Sequence, residues 1–129
     1  KERGLSYLFI AHDLAAVAWL SDIVAVMYLG RVVEVGPVER VLAAGAHPYT
    51  RALRSSEPPA DPQTARARGW QVLDGEIPSP LRPPPGCAFH PRCPLADARC
   101  RTEAPALRPR GGGAGHRVAC HHPGEEAAG

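Results

Sequence analysis

Aromatic residues make up only 5% of this chain of 129 residues. That leaves little for a core built from large rings or for a surface that stacks bases. Charge of one sign is also scarce, since 15 Lys and Arg face 13 Asp and Glu for a net charge of +2. The net charge alone decides nothing about nucleic acid. The Gly- and Pro-rich stretches, which carry Arg without interleaved aromatics, make a poor surface for single strands, so no nucleic-acid partner is expected. There is no basic start followed by an apolar run and a small-residue cleavage site, hence no secretory leader is read. The longest apolar stretch, residues 14–29, is broken by Ser21 and Asp22. It is too short and too polar in the middle to span a bilayer. The chain begins at Lys1 instead of Met, and residues 5–10 already read as a buried strand. A further part upstream is therefore expected.

What is present divides near residue 57, because 13 of the 15 prolines lie beyond it. Before that point the pattern is compact. Residues 5–10 form a nearly continuous apolar run suited to a strand covered on both faces. Asp13 is placed to cap a short helix whose stripe is Leu14, Val17 and Ala18. Residues 23–29 and 32–35 read as two strands turning at Gly30-Arg31, a hairpin. Pro37 suits the first position of a helix with Val38, Val41 and Leu42 inward and Gly45 at its end. Pro48 opens another helix with Tyr49, Ala52 and Leu53 on one face. The expected class is α/β over residues 1–56. Residues 57–69 read as a linker, residues 70–73 as a possible short strand, and the prolines at 78, 80 and 83–85 as a stiff extended path. The rest is expected to be an irregular accessory region.

Two features could carry chemistry. His12 stands at the end of a buried strand, where α/β sheets bind ligands, and could reach a phosphate oxygen. A loop His that merely caps or packs is the plainer alternative. The second feature is Cys87, Cys93, Cys100 and Cys120, spaced C-x5-C-x6-C-x19-C. This is not the paired CxxC spacing of zinc ribbons. Four thiolates could nonetheless close one tetrahedral or cubane site and stabilise a segment too poor in apolar residues to bury a core. The nearby Arg92, Arg99, Arg101 and Arg117 are expected to lower the thiol pKa values. A zinc ion with His90, His116, His121 or His122 as further ligands, disulfides, and free thiols all stay open.

The stretch YLFIAHDL at residues 7–14, followed by AVMYLGRVVEVG at residues 25–36, resembles the last part of an ABC-type nucleotide-binding domain. HPYTRAL at residues 47–53, GEIPSPLRPPPGCAFHPRCPLA at residues 75–96 and GHRVACH at residues 115–121 resemble the oligopeptide, dipeptide and nickel importer branch of that family. The resemblance implies a boundary near residue 46. Residues 1–46 would be the end of the P-loop nucleotide-binding domain, and residues 47–129 an accessory region with a four-cysteine site. It implies that His12 is the switch histidine facing the γ-phosphate of ATP, with Mg²⁺ in the complete subunit. It further implies a [4Fe-4S] cluster on Cys87, Cys93, Cys100 and Cys120, with zinc as the alternative. The implied partners are a second ATPase subunit, two membrane-spanning permease subunits and, indirectly, a peptide-binding protein. The implied place is the cytoplasmic face of the membrane. The chain has no G-x-x-x-x-G-K-[ST] loop, no acidic strand end for Mg²⁺ and no ABC signature segment. Since phosphoryl transfer needs those parts together, these residues alone are expected not to hydrolyse ATP. For His47-Pro48-Tyr49 the expectation is a helix start, with His47 near the cap and Tyr49 packing inward. The rival class is a stand-alone iron–sulfur or zinc-binding interaction module unrelated to ATP.

Overall fold

A computed structural model describes residues 4–56, 75–110 and 115–124. The expected linker at 57–69 and strand at 70–73 lie outside these residues. Helix α1 spans Leu14–Leu20, and strands β1 and β2 span Ile23–Tyr28 and Arg31–Pro37. Helix α2 follows at Val38–Ala44 and α3 at Pro48–Ser56. A 3₁₀ turn at His90–Arg92, helix α4 at Ala98–Thr102 and short strands β3 (Arg108–Pro109) and β4 (Arg117–Val118) complete the order.

Asp13 caps α1 as expected, accepting from the Ala15 and Ala16 amides at 2.9 and 3.3 Å. Gly45 ends α2 at a left-handed φ of 57°. Pro37 serves as the N-cap of α2 rather than its first residue. The hairpin turns at Leu29-Gly30, one residue earlier than expected, because Tyr28 pairs with Arg31. The run at residues 5–10 is not a strand. Those residues carry no regular structure, and Leu8 and Ile10 are 98% and 99% exposed. An apolar run becomes a strand only where another strand accepts its amides and carbonyls, and among the described residues none does.

The sheet runs β1-β2-β4-β3, antiparallel throughout. Residues from beyond position 100 thus extend the hairpin, an outcome that their Gly- and Arg-rich composition does not show. Opposite Val26 stands Glu34, and opposite Met27 stands Val32, so Val33 is an extra residue in β2. Such a bulge breaks the alternation of faces, and Val33 and Glu34 are consecutive buried residues. The core gathers Val26, Tyr28, Val33, Val41, Ala88 and Phe89, with Tyr49, Leu53, Cys87 and Cys93 against it.

Candidate functional site

Glu34 is the centre of the junction between hairpin, helices and tail, and no part of it is exposed. Its carboxylate accepts the Ala46 amide at 2.9 Å and the His47 amide at 2.8 Å. Both amides stand at the start of α3, where anions are stabilised. The same carboxylate meets His116 Nε2 at 2.9 Å across a buried contact. A buried carboxylate is costly unless its oxygens are satisfied, and here three donors from two distant segments satisfy it. Gly36 allows the approach, since a Cβ there would lie 3.0 Å from the His116 Cα. Val118 pairs with Glu34 in the sheet, and the Ala119 amide donates to Val33 O at 2.8 Å.

His47 caps α3 through its side chain. Nδ1 accepts the Tyr49 amide at 3.0 Å, which fixes the proton of the neutral ring on Nε2. Burial lowers the His47 pKa from 6.5 to about 4, with Glu34 opposing the shift and Arg51 adding to it. Pro48 starts the helix and Tyr49 packs inward, as expected from the sequence. Tyr28 lies 4.8 Å from Tyr49 and 5.2 Å from Phe89, ring centre to ring centre. Tyr49 and His47 lie 5.4 and 5.6 Å from Phe89. Phe89, between two of the cysteines in sequence, thereby anchors the cysteine segment to α3 and the hairpin.

All four cysteines are free, with Cys100 buried and the other three half-buried. The Cys87 amide donates to Cys100 O at 2.8 Å. Gly86 makes that contact possible, because its φ is 68° and a Cβ would lie 2.5 Å from Cys100 O. Asp97 caps α4 by accepting the Cys100 amide at 2.8 Å, and the His122 amide donates to Cys120 Sγ at 3.3 Å. Burial chiefly, with smaller contributions from the Cys87, Cys93 and Cys100 thiols and against the His122 amide, pushes the Cys120 thiol up to about 11. Burial likewise raises Cys93 and Cys100. For Cys93, Cys100 and Cys120 the expectation that arginines would depress the thiols is therefore corrected: loss of water is the largest effect. Arg99 is held by Glu103 at 2.8 and 2.9 Å, and the arginine whose charge lowers Cys93 is Arg51 of α3. Thiols with raised pKa are poor nucleophiles, so packing or metal ligation suits Cys93, Cys100 and Cys120 better than thiol catalysis.

The histidines considered as extra ligands are engaged elsewhere or differently. His116 binds Glu34, His90 Nδ1 contacts Cys87 O at 2.9 Å, and His121 Nε2 contacts Glu103 O at 2.9 Å. His122 Nε2 meets Asp97 Oδ2 at 2.8 Å. His12 is exposed, one residue before the α1 cap. The sequence reading missed Glu34 and Asp97. A lone acid inside Val32-Val33-Glu34-Val35 was the available signal for Glu34, and Asp97 three residues before Cys100 was the signal for the cap.

The hairpin, two helices and the cysteine-bearing segment share one core. The family model described as "Oligopeptide/dipeptide transporter, C-terminal region" matches residues 33–100, and the chain belongs to that family. The "Probable peptide ABC transporter ATP-binding protein y4tS" of Sinorhizobium fredii is 54% identical over 121 residues, 94% of this chain and 33% of that protein. The oligopeptide transport ATP-binding protein OppF of Salmonella typhimurium is 48% identical over 120 residues, 93% of this chain and 35% of its own length. The di/tripeptide transport ATP-binding protein DppF of Pseudomonas aeruginosa is 48% identical over 117 residues, 91% of this chain and 35% of its own. The chain thus spans about a third of the length of the curated relatives it matches.

Proposed function

We propose that these residues serve an ATP-binding subunit that couples ATP hydrolysis to import of oligopeptides or dipeptides. The observation that carries this reading is the likeness to peptide-transport ATP-binding proteins over more than nine-tenths of the chain. It favours that reading over a stand-alone metal-binding module. His12 would contact the γ-phosphate of ATP, and Mg²⁺ would be bound by parts of the subunit outside this chain. Residues 1–46 would close the nucleotide domain and residues 47–129 would form its accessory region. The subunit would work beside a second ATPase subunit and two permease subunits, with a peptide-binding protein delivering cargo. It would sit peripherally on the cytoplasmic face. Among the described residues no helix is long and apolar enough to cross a membrane. In the complete subunit, His12→Ala should sharply reduce ATP turnover measured as phosphate release, and unchanged turnover would contradict the assignment.

The four cysteines fit a [4Fe-4S] cluster in donor chemistry. They are free thiols, and the other three lie close enough to Cys120 for charge on any of them to raise its pKa. Cys87, Cys93, Cys100 and Cys120 would hold the cluster. When bound, it would supply cross-linking, because metal-binding energy becomes folding energy. Phe89 and the Cys87–Cys100 backbone contact position the ligands against the core. Peptide import requires no electron transfer, so the role is structural. Anaerobic purification should give brown protein with iron and sulfide in matching amounts. Colourless protein without iron under those conditions would refute the cluster.

A further inference from the structure

Asp97, Cys100 and His122 form a constellation that the four-thiol site does not account for. One ligand atom from each, a carboxylate oxygen, a sulfur and a ring nitrogen, lie within 4.8 Å of one another. Asp97 Oδ1 is fixed by the Cys100 amide at 2.8 Å, which leaves Oδ2 for His122 Nε2 at 2.8 Å. Asp97 and Cys100 are three residues apart at the start of α4, so both belong to the same turn. His122 comes from the chain's far end. It is held there by the Ala119 bond to Val33, the His121 contact with Glu103 O and the Gly124 amide bond to Ala46 O at 2.8 Å. Side-chain exposure is 45% for Asp97 and 40% for His122, whereas Cys100 is 5% exposed. The thiol is the floor of the group, and the other two donors stand open to solvent.

We infer that Asp97, Cys100 and His122 form a zinc-class divalent cation site that shares Cys100 with the four-thiol set. The donor set decides the class. Mg²⁺ and Ca²⁺ take oxygen ligands, and iron–sulfur clusters take thiolates, whereas mixed oxygen, nitrogen and sulfur donors suit Zn²⁺. Ligand atoms around tetrahedral zinc lie roughly 3.3–3.7 Å apart, so rotation of the two half-exposed side chains closes the shell. Water fills the fourth position. Binding releases the Cys100 thiol proton to solvent. The His122 Nε2 lone pair goes to the metal, which leaves the ring N–H on Nδ1. Because Cys100 is common to both sets, zinc here and a four-thiol cluster exclude each other. The zinc form belongs to cluster-free protein, where it ties α4 to the residues after β4.

The test uses the full-length protein freed of iron and titrated with Zn²⁺ against a chromophoric chelator. Co²⁺ serves as the spectroscopic substitute, and iron–sulfur absorbance of anaerobically purified protein is read separately. One zinc should bind, and Asp97→Asn and His122→Gln should each weaken it by about a hundredfold. Asn still caps a helix, so the first variant keeps its fold. Cys87→Ser and Cys93→Ser should leave zinc affinity unchanged while abolishing any cluster absorbance. Absence of zinc binding would overturn the inference. So would zinc that survives in Asp97→Asn and His122→Gln but is lost in Cys87→Ser, because the ion would then sit on the four thiols. Failure of the cluster alone would leave the zinc result standing, so the two readings fail separately.

Discussion

Residues 4–11 and residues 115–124 make opposite uses of their composition. The first segment is apolar and β-favouring, yet it is exposed and without regular structure, and among the described residues no strand pairs with it. The second is polar and rich in His and Gly, yet it supplies β4, buries His116, Val118 and Ala119, and docks on Glu34. Hydrophobic pattern states what a segment can bury. Whether it is buried depends on a partner that accepts its backbone and a polar contact that fixes its register.

The sharpest way to break this contrast is Glu34→Ala. It strips the Ala46 and His47 amides and His116 of one common acceptor. Removing one member of a buried pair costs about 3–5 kcal/mol, and amide exchange at Val118 and Ala119 should rise with it. Chemical denaturation combined with hydrogen exchange reads both.

The next effect is a pH dependence. The folded pKa of His47, about 4, lies below the ordinary 6.5, so the unfolded chain binds the proton more readily. The His47 contribution is complete above pH 6.5, falls as pH drops toward 4, and is level below. The loss is about 3 kcal/mol in size. His47→Asn keeps a capping oxygen and should flatten that part of the stability–pH curve.

Gly86→Ala should act on the cysteine segment alone. Its Cβ would meet Cys100 O at 2.5 Å and must adopt a φ of 68°, a cost of about 2 kcal/mol. Proteolysis should open residues 86–122 and spare the hairpin. The smallest effect is expected at Arg99→Ala. The Arg99–Glu103 pair is more than half exposed, and solvent screening leaves such pairs little effect, so the denaturation midpoint should hardly move.

Much of the first half was legible in the sequence. Asp13, Pro37, Gly45 and Pro48 are punctuation whose conformational preferences are local, and they bound the helices within a residue. The hairpin followed from its two apolar runs. The strand at residues 5–10 was misread because pattern alone does not supply a neighbour. The pairing of β2 with β4 links Glu34 to Val118 across 84 positions, and no local preference encodes such a distance. The bulge at Val33 was equally hidden, and it is what turns Glu34 inward. In the candidate site, cysteine identity was plain. The balance between arginine charge and burial depended on packing, and the Cys93, Cys100 and Cys120 thiols are raised, not lowered.

The central claim is that Glu34 and His116 hold the tail to the hairpin. A double-mutant cycle with Glu34→Gln and His116→Gln, read by chemical denaturation, tests it most directly. A coupling of at least about 1.5 kcal/mol is expected for contacting buried groups. Additivity within about 0.5 kcal/mol would show that the two side chains do not act together, and would contradict it.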